Sequence, residues 1–183
     1  LWLIKLIIML TCNLDVNGQE KIPKVGGCIL AANHLGRLDA FLVYIVIQRS
    51  DIILTVAEKY RKFAIFRIAA KALNAIWIER FKADSAALRK VLRRLQKGGI
   101  LAIAPEGTRS NTGALAMGKP GTAYLASKLQ IPVFPVAVVG TNDQVVTSSI
   151  RKLKRTSVRV DIGDPIFFSQ LPRKNRDEAL EVY

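Results

Sequence analysis

The single histidine of this 183-residue chain stands in Asn33-His34-Leu35-Gly36-Arg37-Leu38-Asp39, an imidazole five positions ahead of a carboxylate with a glycine between them. Imidazole can take and return a proton near neutral pH, and a nearby carboxylate fixes its tautomer and steadies its charged form. The same spacing suits a hydrogen-bonded structural histidine at a loop, so the pair alone leaves both readings open. A second segment bears on the choice. Ile100-Leu101-Ala102-Ile103-Ala104 is an apolar run of strand type that breaks at Pro105 into Glu106-Gly107-Thr108-Arg109-Ser110. Glycine lets backbone approach a ligand closely, hydroxyls add hydrogen bonds, and a guanidinium grips phosphate oxygens with two parallel bonds, so this loop suits an anion. Taken by itself it is equally a strand-to-loop turn with a solvated arginine.

The elements that must position these residues alternate. Strands are predicted over residues 28–32, 52–57, 75–78, 100–104, 133–139 and 157–162, several with the unbroken apolar character of strands buried on both faces. A helix is predicted over 84–97, where Asp84 can cap, Leu88, Val91, Leu92 and Leu95 share one face, and Gly98 stops it; another is predicted over 121–129. Such alternation implies an α/β fold, a single domain with a mostly parallel sheet flanked by helices, whose functional loops follow strand ends. In that arrangement the loops at 33–39 and 105–109 could share one edge of the sheet.

A length of 183 residues with 50% hydrophobic content suits one compact domain, and no repeat or low-complexity stretch interrupts it. Residues 1–12 form an apolar N-terminal segment carrying Trp2 and Lys5, and 13–183 the main domain. A bilayer crossing needs about 20 apolar residues, so the segment reads as an interfacial or a core-packing helix, not as a span. Cys12 and Cys28 fall in apolar surroundings and, with one histidine, cannot assemble a Cys/His zinc site; they read as reduced core thiols, with no metal and no bound cofactor expected. The net charge is +14, which attracts anionic membranes, nucleic acid, or acidic substrates such as coenzyme A and phosphorylated lipids. Three basic groups stand out: Lys59, Arg61, Lys62, Arg67 and Lys71; Arg89, Lys90, Arg93, Arg94 and Lys97; Arg151, Lys152, Lys154 and Arg155. RNA-binding signatures are absent, so a nucleic-acid partner is not expected. The expected location is peripheral, on the cytoplasmic side of a membrane.

Taken in order, these segments resemble the glycerolipid acyltransferase family, the enzymes that acylate glycerol phosphate and its lyso forms. Asn33-His34 to Asp39 matches the family's first block and Glu106 to Ser110 its third. Ile76-Trp77-Ile78-Glu79-Arg80 is similar to the second, with Glu79 where the family usually has Asp, and Ile131-Pro132-Val133-Phe134-Pro135-Val136 is similar to the fourth. The resemblance covers most of positions 13 to 140. Departures are the Leu35-Gly36-Arg37-Leu38 spacer, in which Arg37 adds a cation beside the candidate base and so favours neutral imidazole, and Gly118 before Lys119, where the family often has an aromatic. The resemblance implies a glycerol-3-phosphate acyltransferase-like fold, and a reaction that moves a fatty acyl group from acyl-CoA or an acyl carrier protein thioester, the cosubstrate, to the free hydroxyl of lysophosphatidic acid, giving phosphatidic acid. It implies His34 as general base, Asp39 as its orienting partner, and Arg80, Glu106, Gly107, Thr108, Arg109 and Lys119 around the acceptor phosphate. Alternatives are the same chemistry on glycerol 3-phosphate or another lysolipid, or a non-catalytic basic module that binds acidic lipid.

Overall fold

The structure is a computed structural model that describes residues 2–79, 84–110 and 112–169, the side chains of residues 2–4 excepted. Three apolar strands lie side by side at the centre of the main sheet: β2 (Cys28–Ala32), β6 (Ile100–Ile103) and β7 (Val133–Val139), with β2 paired in parallel to both others. The runs of β2 and β6 are unbroken because both faces of the sheet are covered there. Side chains alternate along a strand. Cys28, Leu30 and Ala32 share a core with Leu42, Val43, Val46 and Ile47 of α2 (Asp39–Ile47). Ile29 faces the other way, into a core with Val91 and Leu95 of α4 (Ser85–Gln96) and Leu125 and Ala126 of α5 (Gly121–Leu129). Each aliphatic side chain buried as fully as Leu42 or Ile29 stabilises the domain by about 1.5–3 kcal/mol relative to exposure.

β3 (Ile52–Ile53) flanks β6, while β1 (Cys12–Asn17) and β8 (Thr156–Ile162) complete a six-stranded sheet of order β1-β8-β7-β2-β6-β3. Every neighbouring pair is parallel except β7 with β8. The strand predicted over 52–57 divides at Leu54. Its carbonyl accepts from the Ile76 N–H at 2.8 Å, and β4 (Thr55–Ala57) leaves the main sheet to pair with β5 (Ile76–Ile78) in a separate two-stranded sheet. Asp84 caps α4 as predicted, its carboxylate accepting from the Ala87 N–H at 2.9 Å. β1, α2, α3 (Ala64–Ala72) and α6 (Asp143–Arg151) lie outside the predicted elements.

At the N-terminus, α1 (Trp2–Thr11) buries Ile8 in the core and leaves Ile7, Met9 and Leu10 exposed. Arg155 closes its end by donating to the carbonyls of Met9 and Cys12. Among the described residues no helix is long and apolar enough to cross a membrane. Because β7, β2 and β6 run in one direction side by side, the segments that follow them leave from a single edge of the sheet. Those segments are 140–142, 33–38 and 104–110.

Candidate active site

At that edge Asn33 prolongs the pairing of β2 with β7 by a side chain: its amide donates to the Val138 carbonyl at 2.9 Å and accepts from the Val138 N–H at 2.7 Å. The backbone beyond is thereby fixed where His34 begins. The His34 carbonyl accepts from the Ser110 N–H at 2.7 Å, which ties the histidine loop to the arginine loop. Asp39 is the first residue of α2 and is buried at 4% exposure. Its Oδ2 accepts from three donors, the Leu35 N–H at 2.7 Å, His34 Nδ1 at 2.8 Å and the Gly36 N–H at 3.0 Å.

Gly36 is required by space. A Cβ there would lie 1.8 Å from the Thr141 carbonyl oxygen, so only glycine lets the loop press against the segment after β7. Burial pulls the Asp39 carboxyl upward, but hydrogen bonds from His34 and the Gly36 and Leu35 N–H groups, aided by the nearby Thr141 hydroxyl, outweigh it and hold the group below the ordinary carboxylate value. The wholly buried Thr141 hydroxyl favours the carboxylate without reaching full hydrogen-bond geometry, and neither it nor Oδ1 has a hydrogen-bond partner among the described residues. An ionised carboxylate only accepts, so Nδ1 carries a proton, and in the neutral imidazole the lone pair is then on Nε2. The His34 side chain is 21% exposed against 6% for that of Asp39, so the pair opens on the imidazole side.

On the neighbouring loop the Arg109 guanidinium donates through Nη1 to Asp143 Oδ2 at 2.5 Å. Asp143 also accepts from the Arg37 N–H at 2.9 Å, and the Arg37 Nε lies 3.7 Å from its Oδ2. One carboxylate at the start of α6 therefore joins both loops. The Arg37 charge is paired with Asp143, and its side chain is 75% exposed. Glu106 is buried and its Oε2 accepts from the Ala116 N–H at 3.0 Å, so it anchors the returning loop. Gly107 adopts φ +71°, and the Lys119 side chain lies across it, 3.1 Å from where a Cβ would sit. Thr108 is exposed beside them. Arg80 lies outside the described residues.

Residues 13–139 match the family model described as Acyltransferase. The chain belongs to that family. It is 29% identical to the chloroplastic 1-acyl-sn-glycerol-3-phosphate acyltransferase of Brassica napus, over 85% of this chain and 46% of that protein. To the 1-acyl-sn-glycerol-3-phosphate acyltransferase of Borreliella burgdorferi it is 27% identical, over 78% of this chain and 55% of that one. It thus spans about half the length of these two relatives. The crystal structure of the 1-acyl-sn-glycerophosphate (LPA) acyltransferase PlsC from Thermotoga maritima matches with a TM-score of 0.71 at 27% identity, covering 98% of this chain and 73% of that one. The α/β fold with a mostly parallel, helix-flanked sheet read from the sequence is the fold of that neighbour.

Both cysteines are free and buried, and burial pushes the Cys28 thiol up to about 11. Such a thiol stays protonated and inert. The sequence reading missed Thr141 and Asp143. Their signal is local: an apolar strand ends at Gly140, and Asn142 then caps a helix, its side chain accepting from the Gln144 N–H at 2.9 Å. A strand, turn and capped helix in a parallel sheet place the turn at the edge where ligands bind.

Proposed function

We propose that the chain transfers a fatty acyl group from a coenzyme A or acyl carrier protein thioester to the free hydroxyl of lysophosphatidic acid, giving phosphatidic acid, at the surface of an anionic membrane. The observation that carries the reading is the His34 Nδ1 to Asp39 Oδ2 bond of 2.8 Å, on a loop held to the Arg109 loop through Ser110. An oriented imidazole with Nε2 open is a general base, and a guanidinium on the adjoining loop is a phosphate anchor. Relatives that are 1-acyl-sn-glycerol-3-phosphate acyltransferases support the acceptor.

In this mechanism the acceptor phosphate binds Arg109, which has five N–H donors and spends one on Asp143. Lys119 adds charge across Gly107. The acceptor hydroxyl attacks the thioester carbonyl while His34 Nε2 takes its proton, and Asp39 steadies the imidazolium that forms. When the tetrahedral intermediate collapses, the carbon–sulfur bond breaks and the imidazolium returns the proton to the thiolate. The ester and the free thiol leave with atoms and charge balanced. No enzyme nucleophile takes part, which fits the inert Cys28.

The experiment is the purified protein with lysophosphatidic acid, glycerol 3-phosphate and a neutral lysolipid, each offered acyl-CoA and acyl carrier protein thioesters, with products resolved by mass. Phosphatidic acid as the main product supports the reading. Faster acylation of glycerol 3-phosphate reassigns the acceptor, and no acyl transfer from either donor to any acceptor refutes the activity.

A further inference from the structure

Among the described residues α3 has almost nothing beneath it. Residues 61 to 68 are exposed without a break and only Ala70 of the helix is buried. Ile65 is 72% exposed and Ile68 69%, with Phe63 and Phe66 also exposed. A nine-residue helix is marginal in water unless its apolar face packs on something. Ile65, Ile68 and Ala72 stand at i, i+3 and i+7, one face, and Arg67 and Lys71 form an adjoining i, i+4 flank. Preceding it, Tyr60 stacks on Phe66 with centroids 4.8 Å apart, and Lys59 and Lys62 lie over Tyr60 and Phe63, each 5.2 Å from the ring centroid. Apolar bodies tipped with cations are the composition of a bilayer interface.

Charge and placement identify the partner. All three basic groups spend cations on the fold itself, Arg61 on Glu58 and Arg67 on the Arg61 and Lys62 carbonyls, Arg94 on the carbonyls of Asn74 and Ile52, and Arg155 on those of Met9 and Cys12, so it is the exposed apolar stripe that sets the first group apart. The group at 59–71 keeps Lys59, Lys62 and Lys71 exposed beside the apolar stripe. β3 runs parallel to β6 and β4 follows it after one residue, so the segment leading into α3 departs from the edge that carries His34 and Arg109. On the far side of the sheet, α1 hands over to β1 at Cys12 opposite Thr156, and Val139 pairs with Arg159. The exposed Ile7, Met9 and Leu10 therefore flank the same edge.

We propose that α3 and the turn before it are a docking surface for an anionic lipid bilayer, with Phe63, Ile65 and Ile68 entering the interface and Lys59, Lys62 and Lys71 meeting lipid phosphates. The proposal rests on the acceptor being a membrane lipid and adds the surface from which it is delivered.

The test is sedimentation of the full chain with phosphatidylcholine vesicles, with and without phosphatidylglycerol, alongside turnover of a short-chain lysophosphatidic acid below its micelle concentration. Ile65→Ser/Ile68→Ser lowers vesicle affinity at least about tenfold and leaves turnover of the monomeric acceptor within about twofold. Lys62→Ala/Lys71→Ala removes part of the preference for acidic vesicles and flattens the salt dependence. Ile65→Trp strengthens binding while melting like wild type and staying soluble when spun without vesicles, which separates the gain from aggregation. Serine variants that bind like wild type overturn the proposal. A wild-type dimer that the serine variant converts to monomer, with vesicle binding unchanged, overturns it in favour of a self-association face. Vesicle binding that responds to these substitutions while the wild type fails to acylate the monomeric acceptor supports the docking surface and refutes the activity.

Discussion

Asp39→Asn replaces a carboxylate that accepts three hydrogen bonds through one oxygen with an amide of the same shape. The amide oxygen can keep the Nδ1 proton and both loop N–H groups in place, so geometry survives and charge does not. At the 2.8 Å separation of His34 Nδ1 and Asp39 Oδ2, unit charges attract by about 6 kcal/mol at the effective dielectric of partly buried protein sites. With the imidazole 21% exposed, solvent screening removes about half, leaving ~3 kcal/mol that is gained only when the imidazolium forms. The variant is therefore expected to lose ~10²-fold in kcat, with KM for the acceptor within about threefold because Arg109, the proposed phosphate anchor, is untouched. Thiol release from the acyl donor measures both. Stability gives a second readout. The folded carboxyl sits below its unfolded value, so its contribution is complete above the ordinary carboxylate value and is lost as pH falls through the lower folded one. Asp39→Asn is accordingly less stable than wild type at neutral pH, and the difference in melting temperature narrows in acid. A folded Asp39→Asn with kcat within threefold of wild type would refute the reasoning.

Gly36→Ala puts a Cβ 1.8 Å from the Thr141 carbonyl, so it costs about 1–3 kcal/mol by overpacking and drags the Gly36 N–H from Asp39; melting and kcat should fall together, and a variant that melts and turns over like wild type contradicts the close approach. Arg109→Ala should raise KM for lysophosphatidic acid about 10–100-fold with little change for the thioester, Lys restoring only part; equal loss toward an unphosphorylated acceptor would assign Arg109 to structure. Cys28→Ala should keep kcat within about twofold and resist thiol reagents no differently from wild type, and loss of an acyl-enzyme adduct in the variant would reinstate the cysteine.

Much of this was legible in the residues. The unbroken apolar runs at 28–32 and 100–104 announce strands covered on both faces, and the loops that follow them carry His34 and Arg109. Asp84 and Gly98 mark the ends of α4 because capping is local chemistry. β1 was not legible: Cys12, Leu14 and Val16 alternate too briefly to be told from the apolar helix before them, and only pairing with β8 makes them a strand. α2 was hidden by the opposite fault, an apolar content so continuous that no helical face shows. The break at Leu54 depends on a long-range bond to Ile76. In the site, the spacing of His34 and Asp39 predicts their contact, but that Asp143 joins Arg37 to Arg109 follows from the parallel order of β7, β2 and β6, which no single segment encodes.

The most direct test of general-base catalysis at His34 compares wild type with His34→Ala in the formation of phosphatidic acid from lysophosphatidic acid and an acyl thioester, with melting curves recorded on the same samples. Wild type should form the product, and a folded His34→Ala should do so about 10²–10⁴-fold more slowly. A folded His34→Ala that turns over within a few fold of wild type would contradict the account.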